Sequence, residues 1–170
     1  MREDTPFDPV AVARIWLMIR TGIVRIQQLI SWADAWVMKL EAPPTWLTEL
    51  CTARTEDVAR RLLSDASEFP SDRAGRDAWD AEFLACLFLR HRNGELSWAD
   101  FLDAGGQYLD AANGSRSCEE FFMQLNLLER MGHPEDLARA QREDIERSLA
   151  GALERMESAH RQFEAEARGA

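Results

Sequence analysis

Residues that favour strands are scarce in this chain. It holds one Tyr in 170 residues, and Val, Ile and Thr are few. A large β-sheet is therefore not expected. Cysteine is sparse as well. Cys51, Cys86 and Cys118 are odd in number and form no C-x-x-C pair, which removes a disulfide framework and a thiolate zinc site. Each falls in a helical pattern, where a buried thiol behaves as a small apolar residue. No apolar run approaches the ~18 residues that a membrane span needs. The start, Met1-Arg2-Glu3-Asp4, is acidic and opens no signal peptide, so the expected compartment is the cytoplasm.

Positive charge is also in short supply. Twenty Lys and Arg stand against thirty Asp and Glu, a net charge of −10. Nucleic-acid binders draw most of their affinity from phosphate contacts. Here the six Arg after residue 132 are interleaved with nine acids, and no basic stripe forms. Nucleic acid and anionic membrane surfaces are thus excluded as expected partners.

Catalytic and ligand-binding signatures are missing too. There is no G-x-G-x-x-G and no Walker string, and Gly105-Gly106 follows a helix rather than a strand. His91, His133 and His160 fit no triad. Glu157-x-x-His160 has the spacing of one di-iron ligand pair, but such bundles use two copies with further Glu residues. A surface ion pair is the plainer reading. No catalytic residue, cofactor site or metal site is expected.

What is present is helix-forming. Ala, Leu, Glu and Arg dominate, and 46 % of residues are hydrophobic, enough for a core. The expectation is an all-α fold: one multi-helix domain over residues 1–170, built of stacked helical hairpins with a long C-terminal helix. Asp8-Pro9 is an N-cap followed by a first-turn proline. Val10 to Ile19 is apolar nearly all round, and Gly22 suits a left-handed stop. A second helix, Val24 to Leu40, carries Ile26, Ile30, Ala33, Val37 and Leu40 on one stripe. Pro43-Pro44 ends it, and Thr45 and Thr55 open two shorter helices.

Residues 64–76 are rich in turn formers and read as a mobile loop. Asp77 to Arg92 follows as a buried helix around Phe83–Leu89. Ser97 and Asp100 form a capping box for the next helix. Gly105-Gly106 weakens that helix midway, and Asn113-Gly114 ends it. Cys118 to Met131 has a core face of Phe121, Leu125 and Leu128. From His133-Pro134 a final helix runs to about Ala167. Its Ile145, Leu149, Ala152, Met156, Ala159 and Phe163 alternate steps of four and three, a coiled-coil-like seam. That seam is expected to pack along the body, with homodimerisation as the lesser possibility. Frayed ends are expected at both termini.

One internal echo stands out. Arg20-Thr-Gly-Ile-Val24 and Arg92-Asn-Gly-Glu-Leu96 each separate a buried helix from an amphipathic one. Two similar hairpins are implied, although two copies do not establish a repeat. The twin Ser-Trp-Ala-Asp strings at 31–34 and 97–100 fall out of phase with it and read as coincidence.

Acidic and aromatic residues supply the functional candidates. Asp77, Asp80, Asp100, Asp103 and Asp110 share one face if their two helices pair. A solvated face is the plain reading, and a docking surface for a cationic partner is the alternative. Trp16, Trp46 and Trp79 fit core stripes. Trp32, at the edge of its stripe, and Trp98, in a first helical turn, are candidates for partial exposure and for interface anchors.

The segment Ile15-Trp-Leu-Met-Ile-Arg-Thr-Gly-Ile-Val24, then Ser31-Trp-Ala-Asp34, then Glu41-Ala-Pro-Pro-Thr-Trp-Leu-Thr-Glu-Leu50, resembles small helical immunity proteins of bacterial polymorphic toxin systems. The likeness covers roughly the first third of the chain. It implies a non-catalytic protein that binds and neutralises a cognate toxin. With the net charge of −10, the first expectation is a basic toxin domain met through an acidic helical face. The alternative is a helical scaffold or adaptor, homodimeric through the C-terminal helix. Monomer and homodimer both stay open.

Overall fold

Asp8 accepts the backbone N–H of Val10 at 3.2 Å, with Pro9 in the first turn. The first helix, α1, thus begins where the capping pattern places it and runs Pro9–Thr21. The computed structural model describes residues 7–112 and 117–168. After α1 come α2 (Ile26–Lys39), α3 (Thr45–Leu50), α4 (Glu56–Asp65), α5 (Arg73–Arg92), α6 (Trp98–Ala112), α7 (Cys118–Arg130) and α8 (Glu135–Arg168). Among the described residues there is no strand, and the chain is all-α. No described helix is long and apolar enough to cross a membrane. The helices group into two compact units. One holds α1–α4 with α8 from Met156 onward, and the other holds α5–α7 with α8 up to Arg155.

In the first unit α1 buries most of its circumference, including Val12, Ala13, Leu17, Met18 and Ile19. It packs chiefly on α4, while α2 lies on α3 and α3 on α4. Apolar burial on this scale is the main stabilising force of such a unit. Trp32 is fully buried, stacked on Phe163 of α8 at 5.8 Å. Its indole N–H donates to Glu166 Oε2 at 2.8 Å, and Trp36 donates to the same oxygen at 3.2 Å. A buried indole N–H without an acceptor would cost about 1–3 kcal/mol, so Glu166 is what permits Trp32 to be core.

The link from α4 to α5 is shorter than the turn-former count predicts. The predicted loop 64–76 contracts to residues 66–72, because α5 starts at Arg73 rather than Asp77. Asp72 caps it by accepting the N–H of Gly75 at 2.6 Å. Gly75, which reads in sequence as a loop residue, is helical and lies close to Pro70, whose Cβ would stand 2.6 Å from an added Cβ. The link itself is pinned: Glu68 N–H donates to the Pro9 carbonyl, and Phe69 packs edge-on to Trp16 at 5.4 Å.

In the second unit α5 buries the whole run Phe83–Leu89, as its apolar continuity predicts. Gly94 ends the corner in left-handed backbone (φ 76°), the same device as Gly22 (φ 77°). α2 and α6 begin at Ile26 and Trp98, the same interval beyond their glycines. The echo is therefore real at the corner. It does not extend to neighbours, because α5 lies along α6 whereas α1 lies along α4.

Gly105-Gly106 does not interrupt α6, which is continuous through Ala112. The pair lets α7 approach closely. A Cβ on Gly105 would stand 2.8 Å from Phe121, and one on Gly106 would stand 2.8 Å from Phe122. The predicted stop at Asn113-Gly114 lies outside the described residues. Trp98 is core as well, stacked on Phe101 at 4.8 Å. Its N–H donates to Gln141 Oε1 at 2.8 Å, and Gln141 Nε2 donates to the Gln124 carbonyl at 2.9 Å. The two Ser-Trp-Ala-Asp strings thus place their tryptophans in equivalent roles, each buried and each tied by its N–H to α8. Within α8 the seam residues Ile145, Leu149, Ala152, Met156 and Phe163 are buried by the chain itself.

Gly105→Ala should destabilise the fold by about 1–2 kcal/mol in urea unfolding, since crowding of buried Phe121 outweighs the gain in helix propensity. A variant as stable as the parent would show that α7 can retreat without cost.

Candidate functional site

The acidic candidates divide once their surroundings are known. Asp80 is buried and accepts a hydrogen bond from Tyr108 Oη at 2.8 Å. The Tyr108 ring lies flat on Phe83, centroids 3.6 Å apart. Glu82 is buried too, and Arg155 Nε donates to it at 2.7 Å. A buried carboxylate needs such partners, because desolvation otherwise drives it to neutralise. Asp80 therefore belongs to the interior, and the expectation that it lies on an open acidic face is corrected. Asp77 is half-buried on the same helix.

On α6 the picture differs. Asp100 and Asp110 are exposed and Asp103 is half-buried. With Gln107 they recur at steps of three, four and three, one stripe opposite the buried Phe101, Leu102, Gly105 and Leu109. Asp100 makes half of the expected capping box, its N–H donating to Ser97 Oγ at 3.1 Å, while its Oδ2 accepts the Ser97 hydroxyl at 2.6 Å. Asp103 accepts from Gln107 Nε2 at 2.7 Å. Asp110 takes a long contact of 3.8 Å from the Cys118 thiol. None of the three has an ion-pair partner among the described residues, and α6 contains no Lys or Arg.

The aromatic candidates reverse. Trp32 and Trp98, read as edge positions open to a partner, are buried and cannot anchor one. Trp16, Trp46 and Trp79, read as core, are only half-buried. The acceptors that draw Trp32 and Trp98 inward, Glu166 and Gln141, lie on α8, more than a hundred and more than forty residues away in the chain. Local periodicity carries no trace of them.

One surface escapes the sequence reading altogether. Met123, Leu127 and Met131 are 68 %, 46 % and 63 % exposed and form a stripe along α7 at steps of four. Beside it runs a groove of about 400 Å³ lined by Glu120, Met123, Gln124, Leu127, Asp144, Ile145 and Ser148. The available signal was that apolar residues of α7 encircle the helix (Phe121, Phe122, Met123, Leu125, Leu127, Leu128), more than one core face can absorb. A smaller cavity of about 80 Å³ lies between α1 and α8, where Arg14, Gln162 and Glu166 meet Ile15, Met18 and Phe163. It has room for only a few waters.

No group of three or more His, Cys, Asp or Glu among the described residues is placed to hold a metal ion. Cys86 is buried and Cys118 half-buried. Burial pushes the Cys51 thiol up from an ordinary 9.0 to about 11, and Asp34 adds to this as hydrogen-bond acceptor and negative charge. Such a thiol is a poor nucleophile at neutral pH. What the described surface offers chemically is negative charge on α6 and open apolar area on α7. In comparisons with protein-family models, curated proteins and solved structures, nothing matches the chain.

The raised Cys51 pKa has a definite sign. The folded state holds that proton more tightly than the unfolded state, so its stabilising contribution is complete below pH 9 and is lost as pH rises through about 11. Cys51→Ser should flatten the fall in urea midpoint between pH 9 and 11 relative to the parent chain; superimposable alkaline profiles would contradict the assignment.

Proposed function

We propose that this chain is a non-catalytic binding protein of the immunity type, which occupies and neutralises a basic toxin domain through its acidic helical surface. The observation that carries the reading is the α6 stripe. Three carboxylates stand on a cation-free helix that packs closely on α7 at Gly105-Gly106. Unneutralised like charges cost stability through mutual repulsion. Their arrangement steers a cationic partner into register and accelerates its encounter. The net charge of −10 acts in the same direction at long range.

A homodimeric scaffold joined through the final helix would need the α8 seam open. Ile145, Leu149, Ala152, Met156 and Phe163 are instead buried within the chain, with Ala159 half-buried, which weighs against that alternative.

The partner to test is a basic domain encoded beside this chain whose expression alone is toxic. Co-expression should restore growth, and stopped-flow mixing of the two purified proteins should show association that slows steeply with added salt. Asp103→Lys with Asp110→Lys should slow association about tenfold or more at low ionic strength while leaving thermal unfolding nearly unchanged. Rates indifferent to both salt and charge reversal would sink the reading.

A further inference from the structure

The stripe on α7 and the groove beside it are not used by the acidic surface of α6, and they have a chemistry of their own. We propose that this groove docks an amphipathic, cationic α-helix of a protein partner. The inference rests on the reading that the chain acts by binding, and it adds a second surface and the form of the segment that fills it.

Three observations support this occupant. Met123, Leu127 and Met131 present apolar side chains over two helical turns, about 12 Å along the axis. That length matches the i, i+3/i+4, i+7 anchors of a helix laid in a groove. Two of the three are methionines, whose flexible thioethers mould to differing side chains. The second observation is charge. The lining contains the carboxylates of Glu120 and Asp144 and no cation. Asp144 is held by Arg147, but both side chains of that pair are largely exposed, and such pairs are weak. Glu119, exposed one residue before Glu120, extends the acidic rim. The third is an unmet acceptor. Gln124 lines the groove, and its Oε1 lies beneath the surface with no hydrogen-bond partner among the described residues. A Lys or Arg side chain arriving over Glu120 would supply a counter-charge, and a donor to Gln124 once its amide turns outward.

The test uses the full chain and a labelled Leu/Lys amphipathic peptide of about 18 residues, five helical turns, with a Leu/Glu peptide of the same apolar pattern as control. Fluorescence anisotropy should show saturable binding of the Leu/Lys peptide and none of the Leu/Glu peptide. Leu127→Asp and, separately, the more exposed Met123→Asp should each weaken binding about tenfold or more. Both variants make the chain more acidic, so purely electrostatic attachment would be kept or strengthened. Retention of affinity in both therefore overturns the proposal, as does equal binding of the Leu/Glu peptide or no binding of either. Asp103→Lys with Asp110→Lys should keep peptide affinity within about threefold. Loss there, with the groove variants unaffected, moves the peptide to α6 and also overturns the assignment. Sedimentation of the chain alone should show no dimer that Leu127→Asp dissolves; such a dimer would mean the groove belongs to a second copy. A groove that binds the peptide while toxin association ignores α6 charge would uphold this inference and reject the α6 surface alone.

Discussion

An indole ring is a large apolar body with one N–H that must find an acceptor before it can leave water. Trp32 and Trp98 both meet that requirement through α8, one at Glu166 and the other at Gln141. Much else follows from these two hydrogen bonds. They accompany the side of α8 that turns inward in each unit, on which the seam residues Ile145, Leu149, Met156 and Phe163 are buried. Gln141, the acceptor for Trp98, in turn donates from Nε2 to the Gln124 carbonyl and so joins α8 to α7 through a polar link.

Once α8 has spent its apolar face in this way, what remains outside defines how the protein can act. Some carboxylates are drawn into structure: Asp80 under Tyr108, Glu82 against Arg155, Glu166 beneath two indoles. Others are left on display, above all Asp100, Asp103 and Asp110 on α6. Charge count cannot separate these two populations, although they have opposite meanings. A buried acid contributes to specificity of the fold and an exposed one to the field a partner meets. The same sorting operates on apolar residues of α7, where Phe121 and Leu128 are core while Met123, Leu127 and Met131 face outward. Acidic stripe and apolar groove are the two surfaces on which the proposed cationic, helical partner rests.

The close approach of α6 and α7 links these features. Two adjacent glycines inside a helix cost about 1 kcal/mol each in propensity, and as a local signal they read as a break. Phe121 and Phe122 occupy the space that two methyl groups would take. The cost is offset by ring-to-backbone packing between α6 and α7. Gly75 follows the same logic against Pro70, which is why a stretch composed of turn formers begins a helix.

Residue order alone determined the local matters: helix type, the Asp8-Pro9 start, the left-handed stops at Gly22 and Gly94, the buried run Phe83–Leu89 and the heptad-like seam of α8. Each depends on groups within a few residues of one another, where backbone geometry fixes the neighbours in advance. Tertiary structure alone decided which tryptophans are core, which aspartates are surface and which face of α7 is left uncovered. Those outcomes depend on acceptors and ring contacts supplied by α8 or by an adjacent helix, and no periodicity within a single segment encodes the identity of a partner so distant along the chain.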